Sequence, residues 1–448
     1  MMRLSHLMLP DIEQAFAGDP ESVRELFEDL HAEDVADIIE RAPPHLAPEL
    51  LAALSAERAA DVLECIEPYR QVDLVQRMGV TRAVVIIEEM ASDERADFVA
   101  ELPHTFAESL LAAMDPEDRA DVRSLVQWED GTVGAVMTTD TLTVSVEMTV
   151  REVIERVRTV GEEAETVYYV YVVAGDDKLV GVVSLRDLIL CKDDQAVAAI
   201  MVEDVKSIGP NEDQEEAATL IQHYDLIALP VVDAAYRLLG LVTIDDLVDV
   251  IAEEATEDMH RMAAVQPLDD SYFGTGFWTF VAKRAPWLVV LFIGGQFTAN
   301  AMTWFDDVIK ETAVLVLFLP LVISSGGNSG SQSAAIIIRA LAVGEVDLSH
   351  AGKVFLREIG VGFVLGVLLA LIGVIRALLG SGDGSLALTL GVTLTAVVTL
   401  GAVLGAMLPI LLERLGLDPA VSSTPFIASL VDLLGIVTYF SLARALLM

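Results

Sequence analysis

Cysteine is nearly missing from this 448-residue chain: Cys65 and Cys191 stand in different regions, without metal-ligand spacing. Neither a disulfide framework nor a thiolate metal centre follows from them, and the usage fits a reducing compartment. Positive charge is scarce as well. Lys and Arg number 28 against 69 Asp and Glu, a net charge of −41, and such a chain repels nucleic acid. The deficit is local. From Phe273 onward nine basic residues nearly balance ten acidic ones, so the first 272 residues hold 19 basic and 59 acidic side chains. A domain of that kind invites divalent cations, although a solvated acidic surface or adaptation to high salt produces the same composition. Also lacking are a Walker or kinase motif and a nucleophile–base pair, so neither nucleotide hydrolysis nor any other enzymatic activity is expected. The first residues are weakly apolar and lead straight into acidic helical sequence, which predicts no cleaved signal and a cytoplasmic soluble part.

Long apolar runs, by contrast, are plentiful in the C-terminal part: about 286–305, 312–340, 354–379, 386–412 and 420–447. About 20 apolar residues span roughly 30 Å of hydrocarbon, so these predict five transmembrane helices. An odd number puts the C-terminus outside when the N-terminus is inside. Lys283, Arg284, Arg339, Lys353, Arg357 and Arg414 then flank the cytoplasmic side, against Lys310, Arg376 and Arg444 outside, as the positive-inside bias requires. Five helices are few for enclosing a polar route, which points to a homodimer with an interfacial pore.

Two features break the apolar pattern. Asp432 stands in the middle of the last run, and an ionisable group at that depth is a functional-site hypothesis by default. Thr424 and Ala428 precede it by eight and four residues and Gly435 follows by three, a face of small side chains with room for a hydrated ion. The other reading is an Asp paired with a basic or hydroxyl group; Arg414 and Arg444, the nearest by depth, belong near helix ends. The second feature is Ser324 to Ser333, SSGGNSGSQS, too polar to face lipid. Loosened backbone inside protein or beside water is one expectation and a packed polar helix interface the other. Gly327 and Gly330 permit close approach, and Asn328 and Gln332 offer oxygens suited to hard cations.

The soluble part divides into an all-α superhelix over 1–130, an α+β region over 131–252 and an acidic connecting helix over 253–272, before the membrane domain at 273–448. In the first, Asp37, Asp61, Asp97 and Asp121 each follow Ala in similar short motifs. Their spacings are multiples of 12, which predicts stacked one-helix units. The α+β region holds two similar copies, 137–195 and 201–252, each ending a strand in Gly-x-Val-Ser/Thr before a helix with an early Asp. This tandem resembles a pair of CBS domains. Such pairs commonly bind ATP or another adenine nucleotide, which makes Tyr169, Arg186, Asp187, Thr243 and Asp246 candidates; equally, the hydroxyls and aspartates are what helix caps look like. In Asp245 to Met262, acids crowd one helix at three- and four-residue spacings. Their mutual repulsion would be reversed by a bound cation, suggesting a metal-sensitive plug; a solvated acidic linker is the alternative.

Taken together, the acidic superhelix, the CBS pair, the acidic helix, five membrane segments, GGNSGSQSA and Asp432 resemble the MgtE family of bacterial magnesium transporters over essentially the full length. The resemblance implies a homodimeric Mg2+ channel of the plasma (inner) membrane, multi-pass, lined by the last helix of both protomers. Asp432 would hold the ion, with Asn328, Thr424 and Ala428 beside it. It also implies closure by cytoplasmic Mg2+. The sensor acids would be Asp61, Asp93 and Asp97 in the superhelix and Asp213, Glu215, Asp225, Asp246 and Asp249 in the second CBS copy and its end. Glu254, Glu257 and Asp258 would act on the plug and Asp418 at the cytoplasmic mouth. Rivals are broader divalent transport of Co2+ or Mn2+, an anion channel, and a membrane-anchored sensor that transports nothing. The absence of His and Cys near Asp432 disfavours softer metals, the central carboxylate disfavours anions, and the polar span disfavours a mere anchor.

Overall fold

The computed structural model describes residues 12, 20–161, 164–268, 272 and 274–448. The opening residues, on which the expectation of no cleaved signal rests, fall outside these, as do 269–271 in the expected connecting helix. The chain forms two compact units, Met1–Ala252 and Glu253–Met448.

The first unit begins with short helices: α1 (Pro20–Asp29), α2 (Ala32–Arg41), α3 (Ala47–Leu51), α4 (Ala56–Glu64), α5 (Pro68–Met78), α6 (Val80–Ile87), α7 (Ser92–Glu101), α8 (His104–Ala113) and α9 (Pro116–Leu125). Each from α2 to α7 packs on the next but one. The repeat is therefore a helix pair of two 12-residue steps, where the sequence suggested single-helix units. A side-chain device recurs with it. Glu40, at the end of α2, accepts a hydrogen bond from the Glu67 amide at 3.0 Å; Glu64 accepts from Ala91 at 3.3 Å, and Glu88 from Asp115 at 2.7 Å. Every link runs from the end of one helix to the residue capping the helix three further on. Glu67 and Ala91 lack a side-chain cap of their own, so a distant carboxylate satisfies an amide at a helix start, where negative charge is also favoured.

In the CBS pair, β1 (Thr143–Ser145) runs parallel to β2 (Tyr169–Ala174), and β2 antiparallel to β3 (Lys178–Ser184), with Tyr169 opposite Ser184. The second copy pairs β4 (Ala228–Val232) with β5 (Leu238–Thr243). Around them lie α10 (Val150–Val160), opened by a Thr149–Glu152 capping box, α11 (Leu185–Leu190), α12 (Gln214–Tyr224) and α13 (Ile244–Met262). Tyr171, Leu179, Ala228, Val232 and Leu241 form one buried cluster that joins the copies. The superhelix is tied to the pair by Ser92 and Thr138, whose hydroxyls lie 2.9 Å apart, and by Thr139, which donates to Asp121 at 2.8 Å. The acidic helix is α13, which starts directly after β5 and ends at Met262.

The second unit holds α14 (Phe277–Trp304), α15 (Asp306–Glu311), α16 (Val314–Ala342), α17 (Ala351–Ser381), α18 (Gly384–Arg414) and α19 (Thr424–Leu447). Among the described residues five helical spans, built on α14, α16, α17, α18 and α19, are long and apolar enough to cross a membrane. The polar run lies in unbroken helix, so its backbone is not loosened; one face, with Gly326, Ser329 and Gly330, is packed against α18, while Ser324, Asn328 and Gln332 stay exposed. A Cβ on Gly401 would fall 2.3 Å from the Gly326 carbonyl oxygen, and one on Gly405 only 2.0 Å from that of Gly330. Close approach thus uses Gly326 and Gly330 rather than Gly327 and Gly330. Such small-residue pairs let backbones meet and gain van der Waals energy that lipid cannot match. Ser329 donates to the Val398 carbonyl at 3.1 Å, and the Tyr439 hydroxyl to that of Leu315 at 2.9 Å.

Candidate functional site

Asp432 lies on α19, half-buried, in line with half-buried Ala428 and Thr424. Opposite stands Gly327 of α16: a Cβ there would meet Ala428 Cβ at 3.7 Å and Asp432 Oδ1 at 3.8 Å. The first glycine of the doublet packs against α18, and the second, also buried, faces Ala428 and the carboxylate at distances a methyl could just fill. Among the described residues Asp432 has no ion-pair or hydrogen-bond partner, and Arg444 is committed to Asp307 and to the face of Phe305. The paired-aspartate reading therefore has no support within the protomer. Along α16, Ser324, Asn328 and Gln332 form an exposed polar stripe at four-residue spacing, with Asn328 Nδ2 3.4 Å from Ser324 Oγ. Exposed amides at membrane depth require water or protein to cover them.

At the base of these helices, Asp418 accepts from the Ala420 amide at 2.7 Å and from Arg261, whose guanidinium also reaches Glu257. Burial, then the carboxylates of Asp418 and Glu254, raises the Asp258 carboxyl above the ordinary range, with Arg339 opposing. Glu257, Asp258 and Asp418 thus share one acidic mouth.

A larger acidic nest lies in the first unit. Asp93 is 7% exposed and its Oδ1 has no hydrogen-bond partner among the described residues. Burial first, then Asp246, Glu165 and Glu94, pushes it well above the carboxylate range. Glu94 is pushed up to about 7 by burial, Glu64, Asp97, Asp246 and Asp249; Glu165 reaches about 7 by burial, Asp246, Asp245, Asp140 and Glu64. Asp93, Asp97, Asp246 and Asp249 were expected here; Glu64, Glu94 and Glu165 were not. Glu94 abuts the Arg95-Ala96-Asp97 repeat motif, the one signal that could have found it. Asp61 is exposed and pairs with Arg58 at 3.4 Å. Asp213 and Glu215 sit at the start of α12 and Asp225 just past its end, about 16 Å apart at 1.5 Å per residue, so these three share no ion within the chain. Among the described residues no group of three or more His, Cys, Asp or Glu is close enough to hold a metal.

The nucleotide candidates lie about the junction of the two copies, with Tyr169 opposite Ser184 and Thr243 opposite Ala228. Tyr169 lines a cavity of about 150 Å3 with Tyr171, Asp204, Lys206, Ala228 and Pro230. Ser184 and Asp187 hydrogen-bond to each other at 2.6 Å at the start of α11, near Arg186, and Thr243 bonds to Asp246. Both hydroxyl–aspartate pairs act as local links at helix starts, and Asp246 faces the acidic nest, an environment that repels phosphate.

A family model described as a divalent cation transporter matches residues 319–442, one for the MgtE intracellular N domain matches 30–131, and CBS domain models match 133–192 and 197–253. The chain is 40% identical over 326 residues to the magnesium transporter MgtE of Thermus thermophilus, spanning 73% of this chain and 72% of that one. The chain belongs to the MgtE family. A second MgtE, from Enterococcus faecalis, is 36% identical over 322 residues, 72% of this chain and 70% of that one. A crystal structure of the cytosolic domain of the Mg2+ channel MgtE in complex with ATP is 34% identical with a TM-score of 0.52, covering 54% of this chain and 99% of that one. The divalent cation transporter model takes in Asn328, Thr424, Ala428 and Asp432, whereas Glu257, Asp258 and Arg261 lie outside the segments that the three family models match.

Proposed function

We propose that the chain carries Mg2+ across the plasma membrane as a homodimer whose two Asp432 carboxylates face one ion path, closed when cytoplasmic Mg2+ is plentiful. The observation that carries this is an unpaired, half-buried carboxylate at membrane depth beside a bare glycine. Mg2+ sheds its waters reluctantly and prefers octahedral oxygen coordination, so a path built from carboxylate, amide and hydroxyl oxygens can pass it hydrated. The polar stripe of Ser324, Asn328 and Gln332 supports a second protomer, because one chain leaves it uncovered. The soluble unit and the α13 acids face the cytoplasm on this reading, and the C-terminus lies outside.

Closure follows from linkage. Carboxylates crowded at Asp93, Glu94, Glu165, Asp246 and Asp249, and at Glu254, Glu257, Asp258 and Asp418, repel when bare and attract once cations bridge them. Mg2+ then stabilises only the arrangement in which they converge. An adenine nucleotide in the cleft beside Tyr169 would shift the same balance. Mg2+ uptake into proteoliposomes tests the path: Asp432→Asn, folded and dimeric, is expected to lose at least about tenfold in flux, the size of a lost charge contact in a desolvated site. Undiminished flux would move the path elsewhere, and equal Co2+ or Mn2+ flux in the parent chain would favour broader divalent transport.

A further inference from the structure

We propose that Arg261 is a tethered cation that occupies the acidic mouth in place of metal and sets how much cytoplasmic Mg2+ is needed for closure. This rests on the reading that the α13 acids and Asp418 take up Mg2+. Arg261 is the one Lys or Arg in α13, whose last ten residues include four acids. Its guanidinium donates to Glu257, one turn earlier, and to Asp418, 157 residues later. Both oxygens of Asp418 are thereby engaged, Oδ1 by the Ala420 amide and Oδ2 by Arg261.

Position is fixed by packing. The neighbouring Met262 packs against the buried cluster of Ala420, Ile427 and Val431, so the guanidinium is held at the mouth by a hydrophobic anchor rather than by charge alone. The three side chains are about two-thirds buried, with 36% exposure for Arg261, 29% for Glu257 and 30% for Asp418, so screening by water weakens these pairs less than fully exposed ones. A metal ion that takes Asp418 and Glu257 must first displace the guanidinium. Asp258 lies beyond that neutralisation, raised by burial and by Asp418 and Glu254. The mouth therefore presents the tethered guanidinium, with Arg339 acting on Asp258, and at least one carboxylate outside the direct pairs of Arg261, a balance that delays closure until Mg2+ competes successfully. Arg261 is a positioning residue for the gate, not an ion ligand.

The test uses the full chain in excised membrane patches, recording current while Mg2+ is titrated at the face bearing the soluble unit. Arg261→Gln is expected to close at about tenfold lower Mg2+, because two partly desolvated ion pairs no longer compete. Arg261→Lys, which keeps the charge, should stay within about threefold of the parent. An unchanged or raised half-closing concentration in Arg261→Gln overturns the proposal, a rise meaning that Arg261 helps hold the closed arrangement. A second readout does not depend on gating: melting of Arg261→Gln, Asp418→Asn and the double variant in chelator. Non-additive losses that shrink in saturating Mg2+ support competition at the mouth; additive losses in chelator overturn it. Failure of Mg2+ to close the parent chain would instead remove the gate itself, a result distinguishable from either variant's behaviour.

Discussion

Two glycine-to-alanine changes, at Gly327 and Gly405, separate the packing of the membrane helices from their ion path. At Gly405 an added Cβ lies 2.0 Å from the Gly330 carbonyl oxygen and 2.7 Å from its carbon. Backbone cannot rotate out of the way, so α16 and α18 must part by roughly 1.4 Å to restore normal contact, an overpacking cost of about 1–3 kcal/mol. At Gly327 the same methyl meets ordinary contact distances of 3.7 and 3.8 Å, and a mid-helix Gly→Ala change is itself worth about 0.5–1 kcal/mol in favour of the variant. Stability should therefore hold or rise. Flux should not. A water bonded to a carboxylate oxygen sits about 2.8 Å away, and a methyl 3.8 Å from Asp432 Oδ1 blocks that approach from the α16 side. We expect Gly327→Ala to melt at or above the parent temperature while Mg2+ uptake into proteoliposomes falls at least about tenfold, or 1.4 kcal/mol. Gly405→Ala should melt several degrees lower, with flux per folded dimer reduced only as far as the helices shift. Parent-level flux in Gly327→Ala would refute the placement of the path beside that glycine, and an undisturbed melt in Gly405→Ala would refute the close helix crossing.

Glu94 and Glu165, held up to about 7 in the folded chain, keep protons that an unfolded chain releases near pH 4.5. Their burial therefore costs nothing below about pH 4.5 and weakens the fold progressively as pH rises to about 7. The melting temperature of the Glu94→Gln, Glu165→Gln double variant, minus that of the parent in chelator, should grow from near zero at pH 4.5 to a plateau near pH 7, and shrink when Mg2+ is added; a pH-independent difference would contradict the nest. Tyr439→Phe removes a fully buried hydroxyl donor to the Leu315 carbonyl and should cost about 1 kcal/mol in a detergent melt without loss of flux per folded dimer. Loss of flux with an unchanged melt would place Tyr439 on the path instead.

Much of this was legible in the sequence, for identifiable reasons. The apolar run expected at 354–379 is α17, Ala351–Ser381, because length and hydropathy alone define a membrane span. Asp432 stood out because a lone acid in such a run is rare, but its lack of a partner depends on where Arg444 goes, and that is to Asp307, 137 residues away. The Gly326-Gly327 doublet offers two faces, and helix rotation decides which meets α18 and which meets Asp432; no local pattern distinguishes them. Glu165 lies on the connection between α10 and β2, outside any helical or strand period. Arg261 carried no signal in the sequence, because its second partner, Asp418, is 157 residues away.

The carboxylate links of the superhelix give that part of the chain a direction. Glu40, Glu64 and Glu88 each tie a helix end to a later helix start, so an opening at one unit loosens only its near neighbours, as in any quasi-one-dimensional array. The α7 and α9 end is clamped to the CBS pair through Ser92 and Asp121. Unravelling should therefore start at α1 and run toward α7, so the helix bearing Asp93, Glu94 and Asp97 is among the last to lose its order. The acids that crowd and repel one another most are borne by the most firmly held turn of the superhelix, and their mutual strain is transmitted to the CBS pair instead of being dissipated by fraying.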